Sequence, residues 1–192
     1  IRDRAEIETF LKRAVGEAGV RKALIIGGDE SSAAGPYADA AALIKEGLPA
    51  AAGLREIGLP GYPEGHPRIP RAVLERAFDE KRALLAGQGL GTYVLTQFSF
   101  APARVVEYCS SLARTAPSVP VYVGLAGPTD PLTLLRYAQR CGVSASLRAL
   151  RAQGLAAVRL VTHTDPADQL AALAHYGSVR ADCNVVGVHL FT

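Results

Sequence analysis

The sequence predicts an α/β fold with a parallel sheet, and three observations support this prediction. Short, β-branched apolar segments alternate with longer segments whose apolar residues have helical spacing. Each predicted strand is separated from the next by helix, the order that parallel strands with crossover helices require. The strand segments are apolar on both faces, as expected for a sheet covered by helices. These residues alone leave two architectures open, a doubly wound sheet and part of a (β/α)8 barrel.

Five segments are predicted as strands because they are short, apolar and rich in β-branched or aromatic residues. Glycine, proline or polar residues follow the first four of them, which is typical of strand ends. The period of strand plus helix is roughly 30–40 residues, close to one βα unit. The predicted strands are 22–29, 54–63, 92–100, 119–127 and 184–192.

The intervening segments are predicted as helices from apolar residues three and four positions apart. Gly47 is a typical helix stop, Pro70 suits the first turn of the longest helix, and Gly87 suits its end. The predicted helices are 4–18, 36–47, 70–87, 102–115, 130–142, 145–153 and 165–177.

Composition and charge argue against several classes of protein. The 21 basic and 18 acidic residues leave a formal net charge of +3, and the basic residues are scattered, so we expect no nucleic-acid partner. No apolar run approaches the ~20 residues of a membrane span, so we expect no membrane partner. Cys109, Cys141 and Cys183 lie far apart without metal-ligand spacing. They are predicted to be reduced thiols in a cytoplasmic protein, and no metal site is predicted.

Polar residues that can bind a ligand fall at or near the ends of the predicted strands. Because the carboxyl ends of parallel strands face the same way, we expect one site there, built from several strands. The residues concerned are Gly27, Gly28 and Asp29, then 61–66, then Thr96 and Gln97, then 124–129, and finally His189 and Thr192.

Most of these residues also have a purely structural interpretation. Asp29 is equally consistent with a helix cap, His66 with an ordinary loop histidine, and Lys81 and Arg82 with a solvated helix face. Gln97 is harder to explain, because an amide in an apolar strand needs a hydrogen-bond partner. The segment 61–70, GYPEGHPRIP, combines three prolines with a tyrosine, a carboxylate and an imidazole, and is stiffer than an ordinary loop.

Taken in order, these segments resemble methylenetetrahydrofolate reductase, a family of FAD-dependent enzymes. The matching stretches are GGD, GPYADA, GYPEGHP, LTQFSF, CGVSASLRALR and GVHLFT, from about residue 22 to the end of the chain. The resemblance implies a (β/α)8 TIM barrel in which the N-terminal strands, about three βα units, are missing from this chain. Residues 1–192 would then be a single domain, the C-terminal five-strand part of that barrel. We accordingly expect roughly 80–100 residues before Ile1, including the glutamate that acts as general acid in the family.

The resemblance also implies how FAD is bound. Tyr62 and His66 would contact the cofactor, as the equivalent residues of the family's YPExHP turn do. In the family, a Gly-Asp pair at a strand end lies near the flavin, a Tyr-Ala pair lines the cofactor, and two adjacent basic residues approach its phosphates. The matching residues of this chain are Gly28, Asp29, Tyr37, Ala38, Lys81 and Arg82.

The folate contacts follow in the same way. Asp29 would contact the pterin ring and is the candidate catalytic residue, and Gln97 would bind the folate. Thr133 and Tyr137 stand where the family has a glutamine and a phenylalanine that touch folate and nicotinamide. Gly27 departs from the family pattern, because many relatives have arginine there.

The function implied is the reduction of 5,10-methylenetetrahydrofolate to 5-methyltetrahydrofolate by a cytoplasmic FAD enzyme of one-carbon metabolism, with NAD(P)H as electron donor. A homo-oligomer is expected, although the sequence does not give the oligomeric state, nor does it distinguish NADH from NADPH. Three alternatives stay open: an inactive folate- or flavin-binding paralogue, another flavin barrel such as a proline dehydrogenase-like enzyme, and a structural α/β domain.

Overall fold

The computed structural model describes residues 3–27, 35–127, 131–143 and 166–191. All five predicted strands are confirmed, and each is shorter than predicted. The shortening is greatest in β1, which ends at Leu24 although the apolar run continues through Ile25 and Ile26 to Gly27. The strands are Lys22–Leu24 (β1), Glu56–Gly61 (β2), Gly91–Thr96 (β3), Val121–Ala126 (β4) and Val185–Phe191 (β5).

The described helices follow the prediction to within about two residues at most ends, apart from one helix that begins later than predicted and one short helix, Leu48–Ala51, that was not predicted. The predicted helix 36–47 begins only after Asp39, whose side chain accepts a hydrogen bond from the Ala42 N–H at 2.8 Å and caps the first turn. Gly47, with φ of +71°, then separates two short helices. The predicted helix 145–153 lies outside the described residues. The helices are Arg4–Gly16 (α1), Ala40–Lys45 (α2), Leu48–Ala51 (α3), Arg71–Gly87 (α4), Pro102–Thr115 (α5), Pro131–Arg140 (α6) and Ala167–Val179 (α7).

The strands form one parallel sheet in the order β1-β2-β3-β4-β5. In the described ranges, Ala23 pairs with Ile57, Val94 with Val121, and β4 runs beside β5 over six register positions. The predicted α/β class and parallel direction are therefore correct. The predicted (β/α)8 TIM barrel is wrong: the described residues form five strands, and β1 and β5 stand at opposite ends of the order. A complete barrel takes eight βα units and typically about 250 residues.

The chain divides into two compact units. The first comprises 1–60 and 72–93, and its core is aliphatic. Ile44, Ile57, Leu59 and Leu85 are completely buried there. The hydrocarbon removed from water by this cluster is the main stabilising contribution to that unit.

The second compact unit comprises 61–71 and 94–192. It contains β4 and β5, together with α5, α6 and α7. Buried valines of β4 and the inner face of α5 supply much of its described core. No helix in the described part of the chain has both the length and the apolar character needed to cross a membrane.

Gly142 ends α6 and lies against the segment that follows β2. Its φ is +73°, and a Cβ at this position would lie 2.8 Å from Cγ of Pro67. Gly89 is the matched position for comparison with Gly142, because it follows α4 and has a similar φ of +70°. After each glycine, the next residue donates to the carbonyl five positions earlier, the pattern of a glycine-terminated helix. Around Gly89, however, no heavy atom lies within 4 Å of the Cβ position.

We therefore expect Gly142→Ala to lower the free energy of unfolding more than Gly89→Ala does. Both substitutions carry the strain of a positive φ, about 1 kcal/mol. Only the change at 142 adds the steric conflict with Pro67, about 1–3 kcal/mol. Urea denaturation of both variants measures the difference. Equal losses would show that the contact with Pro67 does not constrain position 142.

Candidate functional site

A stiff turn follows β2 and carries the densest group of predicted site residues. It runs over Gly61–Pro67, and the N–H of Gly65 donates to the carbonyl of Tyr62 at 3.0 Å. Gly65 has φ of +84°, a conformation that glycine adopts at little cost. Pro63 and Pro67 fix φ at two further positions. Few backbone conformations are available to this turn, so its side chains keep a defined direction.

Two predicted cofactor-binding residues, Tyr62 and His66, contact each other within the turn. Their ring centroids are 5.2 Å apart and their planes meet at 87°, an edge-to-face arrangement. Nδ1 of His66 accepts a hydrogen bond from the N–H of Arg68 at 3.2 Å. A neutral imidazole that accepts at Nδ1 carries its proton on Nε2. In that tautomer, Nε2 is the donor nitrogen of the ring.

Gln97, the predicted folate-binding residue, directly follows β3 and is joined to the same turn. Its backbone N–H donates to the carbonyl of Gly61 at 2.7 Å. Its side-chain Oε1 accepts from the N–H of Phe98 at 3.1 Å, which fixes the direction of the amide. Among the described residues, none accepts a hydrogen bond from Nε2. The structure therefore brings Gln97 together with the turn that carries Tyr62 and His66.

Gly124 in β4 fixes the point where the chain leaves β3. Its N–H donates to Oγ1 of the fully buried Thr96 at 2.9 Å. A Cβ at position 124 would lie 2.6 Å from Cε2 of Phe191 and 3.1 Å from the carbonyl carbon of Gln97. The backbone of β4 therefore lies against the backbone of the residue that carries the candidate amide.

An aromatic cluster adjoins Gln97 in the sequence and was not predicted. Phe98 lies 5.8 Å from both Phe100 and Phe191, measured between ring centroids. His189 packs edge-on against Phe191 at 4.8 Å. Each aromatic residue can be identified in the sequence, but the pairing of β3 with β4 and of β4 with β5 is what brings the two segments together.

The predicted folate contacts Thr133 and Tyr137 lie one turn apart on α6. Residues four positions apart share a helix face. The side chain of Thr133 is half-buried, whereas Tyr137 is 55% exposed. The neighbouring Ala138 is completely buried beside Phe98, which fixes this part of α6 on the aromatic cluster. Both positions therefore belong to the same compact unit as Gln97.

Tyr37 and Ala38 belong to the first compact unit. The Tyr37 ring packs against the aliphatic core, and its hydroxyl donates to Oε2 of Glu46 at 2.9 Å. The same carboxylate oxygen forms an ion pair with Arg4 at 2.9 Å. Desolvation and the hydrogen bond to Glu46 raise the pKa of Tyr37. Tyr37 thus has a structural partner, Ala38 is exposed, and their contact with FAD stays a prediction.

Lys81 and Arg82 lie on α4, also in the first unit. Burial lowers the pKa of Lys81, and the carboxylates of Asp39 and Glu80 oppose this effect. The Arg82 guanidinium lies 5.7 Å from the ring centroid of Phe78 and 4.0 Å from Oδ1 of Asp79. A half-buried ammonium whose charged form is disfavoured gains from a nearby anion.

Two further predicted residues, Gly28 and Asp29, lie outside the described residues. The role of Asp29 as the catalytic residue and as a pterin contact therefore stays a prediction. The same holds for Gly28 at the cofactor.

Sequence reasoning missed a pair of residues that joins the turn to the end of β3. Oε1 of Glu64 accepts a hydrogen bond from the hydroxyl of Ser99 at 2.6 Å. Ser99 is completely buried, and its Oγ also accepts from the N–H of Ala101 at 2.9 Å. The sequence feature that could have indicated this pair is the single hydroxyl, Ser99, inside the aromatic run QFSF, because a buried hydroxyl needs a hydrogen-bond partner.

Together, the turn and the end of β3 offer aromatic edges, an imidazole and a carboxamide. This combination suits a planar heterocycle with polar edges better than a metal ion. Within the described residues, no three His, Cys, Asp or Glu side chains are grouped as metal ligands. A comparison with models of known protein families finds no match for the chain.

Proposed function

We propose that this protein is an FAD-dependent reductase that converts 5,10-methylenetetrahydrofolate to 5-methyltetrahydrofolate, with NAD(P)H as electron donor. The observation that carries the proposal is the link between the Gly61–Pro67 turn and Gln97. The backbone hydrogen bond from Gln97 to Gly61 joins an amide to a turn that presents Tyr62 and His66 as an edge-to-face pair. These residue types, in this order, are the ones by which the sequence resembles the reductase family.

The residues present fit FAD in two respects. A flavin requires flat apolar walls and a few fixed donors, and the Tyr62 ring and Nε2 of His66 are groups of these kinds. A pyrophosphate requires positive charge, and Lys81 on α4 is a half-buried ammonium whose pKa burial has lowered. Bound FAD would supply the hydride chemistry of the reaction.

The chain's own residues bind and orient the reactants in this proposal. The amide of Gln97 is held through Oε1 by the N–H of Phe98, so its N–H donors keep one direction toward the pterin. The carboxylate of Asp29 would accept hydrogen bonds from the other donors along the pterin edge. Tyr137 is exposed on α6 and would cover a flat ligand with its ring. Holding both reactants in fixed orientation is how such groups contribute to rate.

An absorbance experiment on the purified protein tests the proposal. We expect bound FAD to give a band at about 450 nm that bleaches with NADH or NADPH. Adding 5,10-methylenetetrahydrofolate anaerobically should restore the band and yield 5-methyltetrahydrofolate. A protein that is colourless and does not bind added FAD would contradict the proposal. A protein that bleaches and is not restored by the folate would be a flavoprotein of another class.

Replacing Lys81 by methionine should weaken FAD binding by about tenfold, because it removes the ammonium that would pair with the pyrophosphate. Binding of riboflavin, which has no phosphate, should be unchanged. The affinity of the unmodified protein for FAD should fall as pH rises through the lowered pKa of Lys81, since only the protonated amine attracts the anion. Lys81→Met should remove this pH dependence. Flavin fluorescence titrations measure all of these quantities.

Lys12→Met is the matched control, because Lys12 is exposed on α1 of the same compact unit. It should leave FAD affinity and its pH dependence unchanged. A charged lysine with a depressed pKa opposes folding, so Lys81→Met should not reduce stability at neutral pH. If Lys81→Met weakens riboflavin and FAD equally, Lys81 does not act on the phosphates.

A further inference from the structure

Ser99 connects several parts of the second compact unit through hydrogen bonds. Its hydroxyl donates to Oε1 of Glu64 at 2.6 Å and accepts from the N–H of Ala101, at the start of α5, at 2.9 Å. Its backbone carbonyl accepts from Nε2 of Gln169 on α7. Because Ser99 is completely buried, each of these bonds is at least partly shielded from water.

The Glu64–Ser99 hydrogen bond is one of three contacts that hold the turn against other parts of the second compact unit. At the beginning of the turn, the carbonyl of Gly61 accepts from the N–H of Gln97 at 2.7 Å. At its end, Pro67 packs against the Cβ position of Gly142. Glu64 lies between these two points and midway between Tyr62 and His66. A hydroxyl-to-carboxylate bond of this length is of the strong, charge-assisted kind.

We propose that Glu64 and Ser99 are positioning residues, which hold the rings of Tyr62 and His66 in a fixed direction toward one planar ligand. The proposal rests on the proposed function for the identity of that ligand, and on the hydrogen bonds alone for the positioning. Without the bond, the turn keeps its prolines and its two end contacts. Its centre is then free to move, and the two rings lose their fixed direction.

Four variants test the proposal. Glu64→Ala and Ser99→Ala each remove the bond, whereas Glu64→Gln keeps an Oε1 acceptor for the Ser99 hydroxyl. Glu64→Ala also leaves intact the bond that the N–H of Ala101 donates to Oγ of Ser99. We expect Glu64→Ala and Ser99→Ala each to weaken FAD binding about 5- to 20-fold, a value typical of a lost hydrogen bond to a charged group. Glu64→Gln should stay within about twofold of the unmodified protein, and the double Ala variant should be no weaker than the worse single variant.

A second measurement does not depend on FAD. Hydrogen exchange of the backbone amides of residues 61–66 should be faster in Glu64→Ala and Ser99→Ala, and unchanged in Glu64→Gln. Ser178→Ala is the control: Ser178 is exposed and its hydroxyl donates to a carbonyl within α7, so its loss should affect neither measurement.

The outcomes separate the positioning role from the proposed function. If the unmodified protein binds no FAD, the proposed function fails, and the exchange rates still decide the positioning role. If Ser99→Ala leaves both FAD affinity and exchange unchanged while Glu64→Ala weakens binding, Glu64 acts on the ligand directly and the positioning role is wrong. Additive losses in the double variant would also overturn it, because two partners of one bond cannot lose it twice.

Discussion

Gly124→Ala is expected to lower the free energy of unfolding by about 2–4 kcal/mol, the largest stability effect that we predict for a single added methyl group. A Cβ at this position would meet the backbone of Thr96 and Gln97 on one side and the ring of Phe191 on the other. The backbone of a central strand cannot move away without breaking its ladder. The N–H of Gly124 would also be displaced from Oγ1 of Thr96, a buried bond of 2.9 Å. Urea denaturation followed by circular dichroism measures the loss.

Gly187→Ala is the matched control in the neighbouring strand β5. There a Cβ would lie 3.2 Å from Cδ1 of Tyr122, a side-chain atom that can shift. We expect a loss of about 1 kcal/mol or less for this change. If the two variants are equally stable, β4 adapts at position 124, and the close approach to Gln97 is not a constraint on the fold.

The elements of this fold could be predicted from the sequence because their signals are local. The strand 119–127 is a continuous apolar run, and the helix 102–115 begins with proline and carries apolar residues at helical spacing, so both appear with nearly the predicted bounds. Whether the sheet closes into a barrel, by contrast, depends on residues that are far apart in the sequence. Whether β1 and β5 meet depends on how many strands lie between them and on how they tilt. The (β/α)8 prediction was based on the resemblance to the reductase family, and the strand order contradicts it.

The candidate site likewise has features that the sequence predicted and features that only the structure shows. Tyr62 and His66 were identifiable because a ten-residue segment with three prolines, 61–70, is unusual, and the structure places their rings in contact. The bond between Glu64 and Ser99 joins positions 35 residues apart, and no pattern within either segment specifies it. Tyr37 illustrates the opposite case: its sequence neighbourhood matches a cofactor-lining pair, whereas its hydroxyl is bonded to Glu46. Sequence patterns thus identified residue types suited to a site, and tertiary packing decided their partners.

Gln97→Leu is expected to weaken binding of 5-methyltetrahydrofolate to the FAD-loaded protein by about 10- to 100-fold. Leucine keeps the approximate volume of the side chain and removes its carbonyl and its two N–H donors. The polar edge of the pterin would then be buried without partners, and the proposal makes Gln97 one of the two residues that read this edge. Affinity for FAD should stay within about twofold, since Gln97 is proposed to contact the folate only. Isothermal titration calorimetry with each ligand measures both affinities.

Two further variants make this result interpretable. Gln97→Glu retains an oxygen that can accept from the N–H of Phe98 and loses the amide donors. A loss of folate affinity shared by the Leu and Glu variants therefore assigns the effect to those donors, whereas a loss confined to Leu assigns it to the contact with Phe98. Gln88→Leu removes another amide, which donates to the carbonyl of Ile44 in the first unit, and should reduce stability without changing folate affinity. If Gln97→Leu binds the folate as tightly as Gln88→Leu does, the amide of Gln97 does not read the pterin, and the folate part of the proposed function loses its main support.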